Sequence, residues 1–149
     1  MMRMNGIARR VLVVDDEPGI VNILRIKLRL HGYEVISASR GIEAVELART
    51  QRPDIMLLDI IMPDITGLEV LERVRAFSSV PAIVLTARRE IAEKALESGA
   101  ADFIAKPFNP DQIIIKIKSV LEAAGQQGES GLRAIPAQGK PESGTEAGG

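Results

Sequence analysis

The sequence predicts an α/β fold, a doubly wound five-stranded parallel sheet with strand order 2-1-3-4-5. Three observations lead there. Short aliphatic runs alternate with stretches of helical periodicity, so strands and helices take turns along the chain. The central runs are apolar on both faces, as a sheet covered by helices on each side requires. No GxGxxG follows the first run, which disfavours a dinucleotide-binding arrangement, and right-handed crossovers leave few other topologies.

The first strand is read at Arg10–Val14 and runs straight into Asp15, Asp16 and Glu17. Pro18 then opens a helix, where a missing N–H does no harm, with Val21, Leu24 and Leu28 on one face and Gly32 at its end. The only histidine, His31, sits beside Gly32 and reads as a C-terminal helix residue, not a ligand or base. A second strand at Glu34–Ala38 is followed by a helix at Ile42–Arg49. The third strand, Asp54–Asp59, precedes the capping box Thr66-x-x-Glu69, after which Leu68, Leu71 and Arg75 follow at helical spacing. Ala82–Leu85 and Asp102–Ala105 complete the strands. Between them Glu90–Glu97 is a helix stopped by Gly99. The last helix opens at Asn109 and Pro110, with Ile113, Ile117 and Val120 turned inward.

Composition bounds the rest. A chain of 149 residues with 46% hydrophobic content can bury a core, and 3% aromatics make that core aliphatic. The net charge of -1 lacks the basic surplus of a nucleic-acid binder, so no direct nucleic-acid partner is expected. Without cysteine there are no disulfides, thiolate catalysis or zinc ribbons. Residues 1–9 form a basic extension followed by too short an apolar run for a signal peptide or membrane span, so a cytoplasmic location and no membrane partner are expected. Residues 10–123 form the domain. Residues 124–149, rich in Gly, Gln, Ser and Pro, are expected to be disordered.

In an open parallel sheet, ligands bind beyond the carboxyl ends of the strands, at the switch point between strands 1 and 3. The residues falling there are Asp15 and Asp16 after strand 1, Asp59 ending strand 3, Thr86 after strand 4, and Lys106 and Pro107 after strand 5. Singly each has an ordinary explanation: an acid pair can cap a helix, and Thr86 or Lys106 can simply lie at a surface. Asp59 is the exception, because an unpaired buried carboxylate is costly. Together they make a hard oxygen site suited to Mg2+, which takes one or two carboxylates and leaves room for phosphate oxygens. Three carboxylates, one dication and one lysine also sum to zero charge.

With these residues assembled, the chain resembles the receiver domain of bacterial two-component response regulators. The resemblance covers roughly Arg10–Glu122 and rests on "VLVVDDEPGI", "PDIMLLDIIMPDITGLEVL", "VPAIVLTAR" and "ESGAADFIAKPF" in the family's order. It implies a flavodoxin-like fold and a signalling phosphoacceptor, not a turnover enzyme. Asp59 would take a phosphoryl group from a sensor histidine kinase or histidine phosphotransfer protein. Mg2+ would be held by Asp16, Asp59 and the main-chain carbonyl of Ile61, with Asp15 acting through water. Thr86 and Phe103 would be the switch pair, and a cis peptide between Lys106 and Pro107 would aim the lysine. Output would pass through the surface of helix 4, strand 5 and helix 5, where Ile115 faces outward, to a protein target or a second copy.

The sequence departs from the pattern in two places. Between Thr86 and Gly99 it is shorter than the family's usual length, and the tail has neither a helix-turn-helix pattern nor a basic surplus. Two other readings fit less well. A phosphohydrolase of haloacid-dehalogenase type would carry its second acid two residues after the first, but here the two are adjacent. An inactive receiver serving only as an interaction module would lack one of the key residues, and all are present.

Overall fold

The computed structural model of the chain describes residues 8–134. Strands and helices alternate: β1 (Arg10–Val14), α1 (Pro18–Leu30), β2 (Glu34–Ala38), α2 (Gly41–Gln51), β3 (Ile55–Asp59), α3 (Gly67–Arg75), β4 (Ala82–Thr86), α4 (Arg89–Glu97), β5 (Asp102–Ala105) and α5 (Pro110–Ala134). All strand pairs are parallel, and the sheet order is β2-β1-β3-β4-β5. The doubly wound fold read from the sequence is therefore the observed one. Its strands begin or end within one residue of the expected bounds.

The burial pattern explains why these runs are apolar. Every residue of β3 and β4 is buried, whereas the edge strand β2 is mostly half-buried. The largest fully buried side chains are Leu, Ile and Met, an aliphatic core, each contributing roughly 1.5–3 kcal/mol relative to exposure. α1 covers the sheet with Leu24 and Leu28, while Val21 is only half-buried. Gly32 and Gly99, with φ of 87° and 106°, end α1 and α4 as expected.

Two helices differ from the sequence reading. In α3 the buried face is Val70, Leu71 and Val74, not Leu68, Leu71 and Arg75. Arg75 instead donates to the carbonyls of Gly99 at 3.0 Å and Ser78 at 3.3 Å, tying the end of α3 to the turn that ends α4. Its long stem mimics an inward residue in a periodicity count. The Thr66 cap forms, with the Glu69 amide donating to Oγ1 at 3.2 Å, but the Glu69 carboxylate turns to Arg73 instead of closing the box.

The second difference is α5. Asn109 caps it, accepting from the Asp111 amide at 2.8 Å, and Gln112 closes a reciprocal bond from the Asn109 amide at 3.0 Å. The helix then runs past residue 123, where the domain was expected to end, to Ala134. Its glycines each cost about 1 kcal/mol. No proline interrupts the ladder before Pro136, and elongating a formed helix needs no new nucleus. The chain divides after Ile117 into two units. The first holds the sheet and Ile113 and Ile117, both fully buried; the second, as far as described, is the remainder of α5. The expected disorder of the tail's last fifteen residues, and most of the N-terminal extension, lie outside the described residues. No helix among the described residues is long and apolar enough to cross a membrane.

Candidate functional site

In a parallel sheet all strands deliver their last residues to one edge. β1 and β3 are neighbours, with Val14 beside Leu58, so the acids after β1 stand next to the acid ending β3. One carboxylate oxygen each from Asp15, Asp16 and Asp59 lies within 4.8 Å of the others. Asp15 and Asp59 are 1% and 5% exposed, whereas Asp16 is open to solvent. Lys106, following β5, reaches back across β4. Its Nζ donates to Asp59 Oδ1 at 3.2 Å and lies 3.7 Å from Asp15 Oδ2. The peptide between Lys106 and Pro107 is cis.

The electrostatics of this edge are incomplete. Asp15 Oδ1 accepts from the Glu17 amide at 2.9 Å, but the buried Oδ2 has no hydrogen-bond partner. Lys106 is within ion-pair range of it, yet too distant for a hydrogen bond. Burial therefore raises the Asp15 pKa above 3.8, the Glu17 amide opposes the rise, and the nearby Asp59 charge adds to it. One lysine against three carboxylates leaves two negative charges uncompensated. An all-oxygen donor set, a charge deficit of that size and an orphaned buried oxygen fit a hard divalent cation such as Mg2+.

The remaining expected residues surround this cluster. Thr86 ends β4 and is buried, its hydroxyl accepting from the Arg88 amide at 3.2 Å. Phe103 on β5 is half-buried against the core and lines, with Thr86, Arg88 and Ala105, a cavity of about 190 Å³. The Arg88 guanidinium is held by Glu90 through bonds of 3.0 and 2.7 Å. Ile61, two residues beyond Asp59, leaves its side chain 75% exposed. Lys106 and Pro107 also border an apolar hollow of about 450 Å³ with Ile20, Ile23 and Phe108. His31 takes no part: it is the C-cap of α1, at the opposite edge of the sheet, with Nδ1 3.1 Å from the Lys27 carbonyl.

Two residues that border the site went unnoticed in the sequence. A Cβ at Gly67 would stand 2.3 Å from the Asp59 carbonyl oxygen and 2.9 Å from Ile60 Cα, so only glycine lets α3 begin there. A glycine just after the capping threonine, where better helix formers are usual, was the available signal. Asp64 accepts from the amides of Gly41 at 2.8 Å and Ile42 at 2.9 Å. That contact joins distant segments and leaves no local trace in the sequence.

Known proteins resemble this chain in sequence and in fold. A family model described as the response regulator receiver domain matches residues 11–118. The transcriptional regulatory protein KdpE of Mycobacterium tuberculosis is 42% identical over 113 residues, 74% of this chain and 50% of the relative. The alkaline phosphatase synthesis transcriptional regulatory protein PhoP of Bacillus subtilis is 40% identical over 116 residues, covering 76% and 48%. The chain thus spans about half the length of these curated relatives. Among solved structures, a CheY-like response regulator receiver domain protein from Methanospirillum hungatei superposes with a TM-score of 0.77 at 30% identity, over 81% of this chain and 99% of that one.

Proposed function

This chain belongs to the response regulator receiver domain family, and we propose that within it the chain is a phosphorylation-driven switch with Asp59 as phosphoacceptor. An Asp59 oxygen would attack the phosphorus of a phosphohistidine on a sensor histidine kinase or histidine phosphotransfer protein. The new O–P bond forms as the N–P bond breaks and the imidazole leaves. The observation that carries the reading is a buried Asp59 held by Lys106 beside an Asp15 oxygen with no hydrogen-bond partner. Such a site is arranged for added positive charge and for phosphoryl oxygens, and in phosphoryl transfer positioning and charge neutralisation carry the catalysis.

Asp16, Asp59 and the main-chain carbonyl of Ile61 would hold Mg2+, with Asp15 acting through water. Bound there, the ion supplies neutralisation of charge on the transferring oxygens. Lys106 keeps one phosphoryl oxygen paired. Thr86 would give up the Arg88 amide and donate its hydroxyl to another, and Phe103 would turn into the space that Thr86 vacates. Both residues adjoin the face of α4, β5 and α5, where Ile115 is 69% exposed beside Lys116, itself paired with Asp102 at 3.1 Å. That face would pass the signal to a protein target or a second copy in the cytoplasm. The curated relatives are named transcriptional regulators, but the reading here needs no direct nucleic-acid contact by these residues.

The test is a mass measurement. After incubation with acetyl phosphate and Mg2+, the wild-type chain gains one phosphoryl group and Asp59→Asn gains none. A full gain in Asp59→Asn overturns the assignment. Sustained turnover of a simple phosphate ester would mark a hydrolase instead.

A further inference from the structure

We propose that Asp64 is a positioning residue for the phosphoacceptor site, clamping the loop between β3 and α3 to the N-terminus of α2. The inference rests on the reading that the Ile61 carbonyl is a metal ligand, and it says what holds that carbonyl in place. The Ile61 side chain is 75% exposed, so little burial holds it in place. The position of its main chain must therefore come from its neighbours.

Three contacts do this. Gly67 lies against the Asp59 carbonyl, too close for a Cβ, and its amide donates to the Ile60 carbonyl at 2.8 Å. Ile65 packs on Gly41, where a Cβ would stand 2.5 Å from Ile65 Cγ1 and 3.1 Å from its carbonyl oxygen. Just before Ile65, both Asp64 oxygens accept from the first amides of α2, Gly41 at 2.8 Å and Ile42 at 2.9 Å.

α2 depends on that contact. Its own N-cap, Arg40, contributes no side-chain hydrogen bond, so these amides would otherwise be left to solvent. Asp64 is thus shared: it completes α2 and pins the loop three residues past Ile61. The Ile42 amide chiefly lowers its pKa, to about 2, so the carboxylate stays charged and accepting wherever the protein works. Partners that orient a metal's direct ligands typically set about 10- to 100-fold in affinity.

The experiment is Mg2+ titration by calorimetry on the full chain, alongside thermal unfolding, for wild type, Asp64→Ala, Asp64→Asn and Asp54→Ala. Asp54 accepts a comparable amide bond, from Arg10 at 2.7 Å, on the opposite edge of the sheet. Asp64→Ala is expected to weaken Mg2+ binding about 10-fold. Asp64→Asn, whose amide oxygen can still take one N–H, should recover part of that loss. Asp54→Ala should lower the unfolding temperature and leave Mg2+ affinity unchanged. If Asp64→Ala unfolds earlier but binds Mg2+ like wild type, Asp64 is only a helix cap and the proposal is wrong. Wild-type protein that takes up no Mg2+ overturns the reading of the site itself, and the clamp with it.

Discussion

The two edges of the sheet both carry charge, but they treat it in opposite ways. At the N-terminal edge each group has an answer. The Arg10 guanidinium donates to Glu34 at 3.0 Å and to the Gln51 carbonyl at 2.7 Å, while its amide donates to Asp54 at 2.7 Å. At the C-terminal edge three carboxylates cluster, only Asp15 and Asp59 are within ion-pair range of Lys106, and one buried oxygen has no hydrogen-bond partner. The first edge is exposed and paired, so each pair contributes little and disturbs nothing. The second has two of its three carboxylates buried and is short of positive charge, an arrangement that lowers stability and is retained where something must bind.

The sharpest way to break this contrast is to remove the open ligand of the C-terminal edge. Asp16→Ala should weaken Mg2+ binding by at least the ~10- to 100-fold that loss of a mere orienting partner costs, since it deletes a direct donor. Calorimetric titration reads it, and an affinity equal to wild type would show that the acidic edge is not a metal site.

A smaller effect concerns how long a phosphoryl group would persist there. Ile61 and Arg88 stand two residues beyond Asp59 and Thr86, where a group orienting an in-line water would sit. Isoleucine cannot hydrogen-bond a water, and Arg88 donates but accepts no proton. The double variant Ile61→Asn with Arg88→Glu should speed loss of the phosphoryl group by ~10- to 100-fold, the scale of a repositioned reactant. Decay of the phosphorylated fraction after donor removal, with Mg2+ present, measures this. A double variant no faster than wild type, or a wild-type lifetime of seconds, would refute it.

The smallest effects compare the edges directly, as stability in the absence of Mg2+. Glu34→Ala removes an exposed ion pair with side chains 37% and 54% accessible. It should cost no more than about 1 kcal/mol, less at high salt. Asp15→Asn removes a buried charge whose pKa burial has raised, and should stabilise the Mg2+-free protein while abolishing part of the Mg2+ response. Thermal unfolding with and without chelator separates the two. Opposite signs sharpen the contrast, and two losses of equal size would erase it.

The pattern of five strands and five helices could be read in the sequence because each element announces itself locally. Four aliphatic residues before Asp15 make a strand, Thr66 three residues before Glu69 makes a helix start, and Asn109-Pro110 makes another. The strand-end residues were legible for the same reason: once the strands are parallel and ordered, Asp15, Asp16, Asp59, Thr86 and Lys106 can only fall on one edge. What the chain could not reveal along its length is whatever depends on two elements meeting. The face of α3 that turns inward is set by the core and the neighbouring α2, and the carbonyls that Arg75 finds lie beyond its own helix, at Ser78 and in the turn after α4. The first turn of α2 is completed by Asp64, 23 residues from Gly41, and the glycine that α3 needs is dictated by the Asp59 carbonyl it lies against. Propensity and periodicity act within a turn or a strand. An amide satisfied by a distant carboxylate, or an oxygen left without a partner, exists only when the tertiary fold has brought its surroundings together.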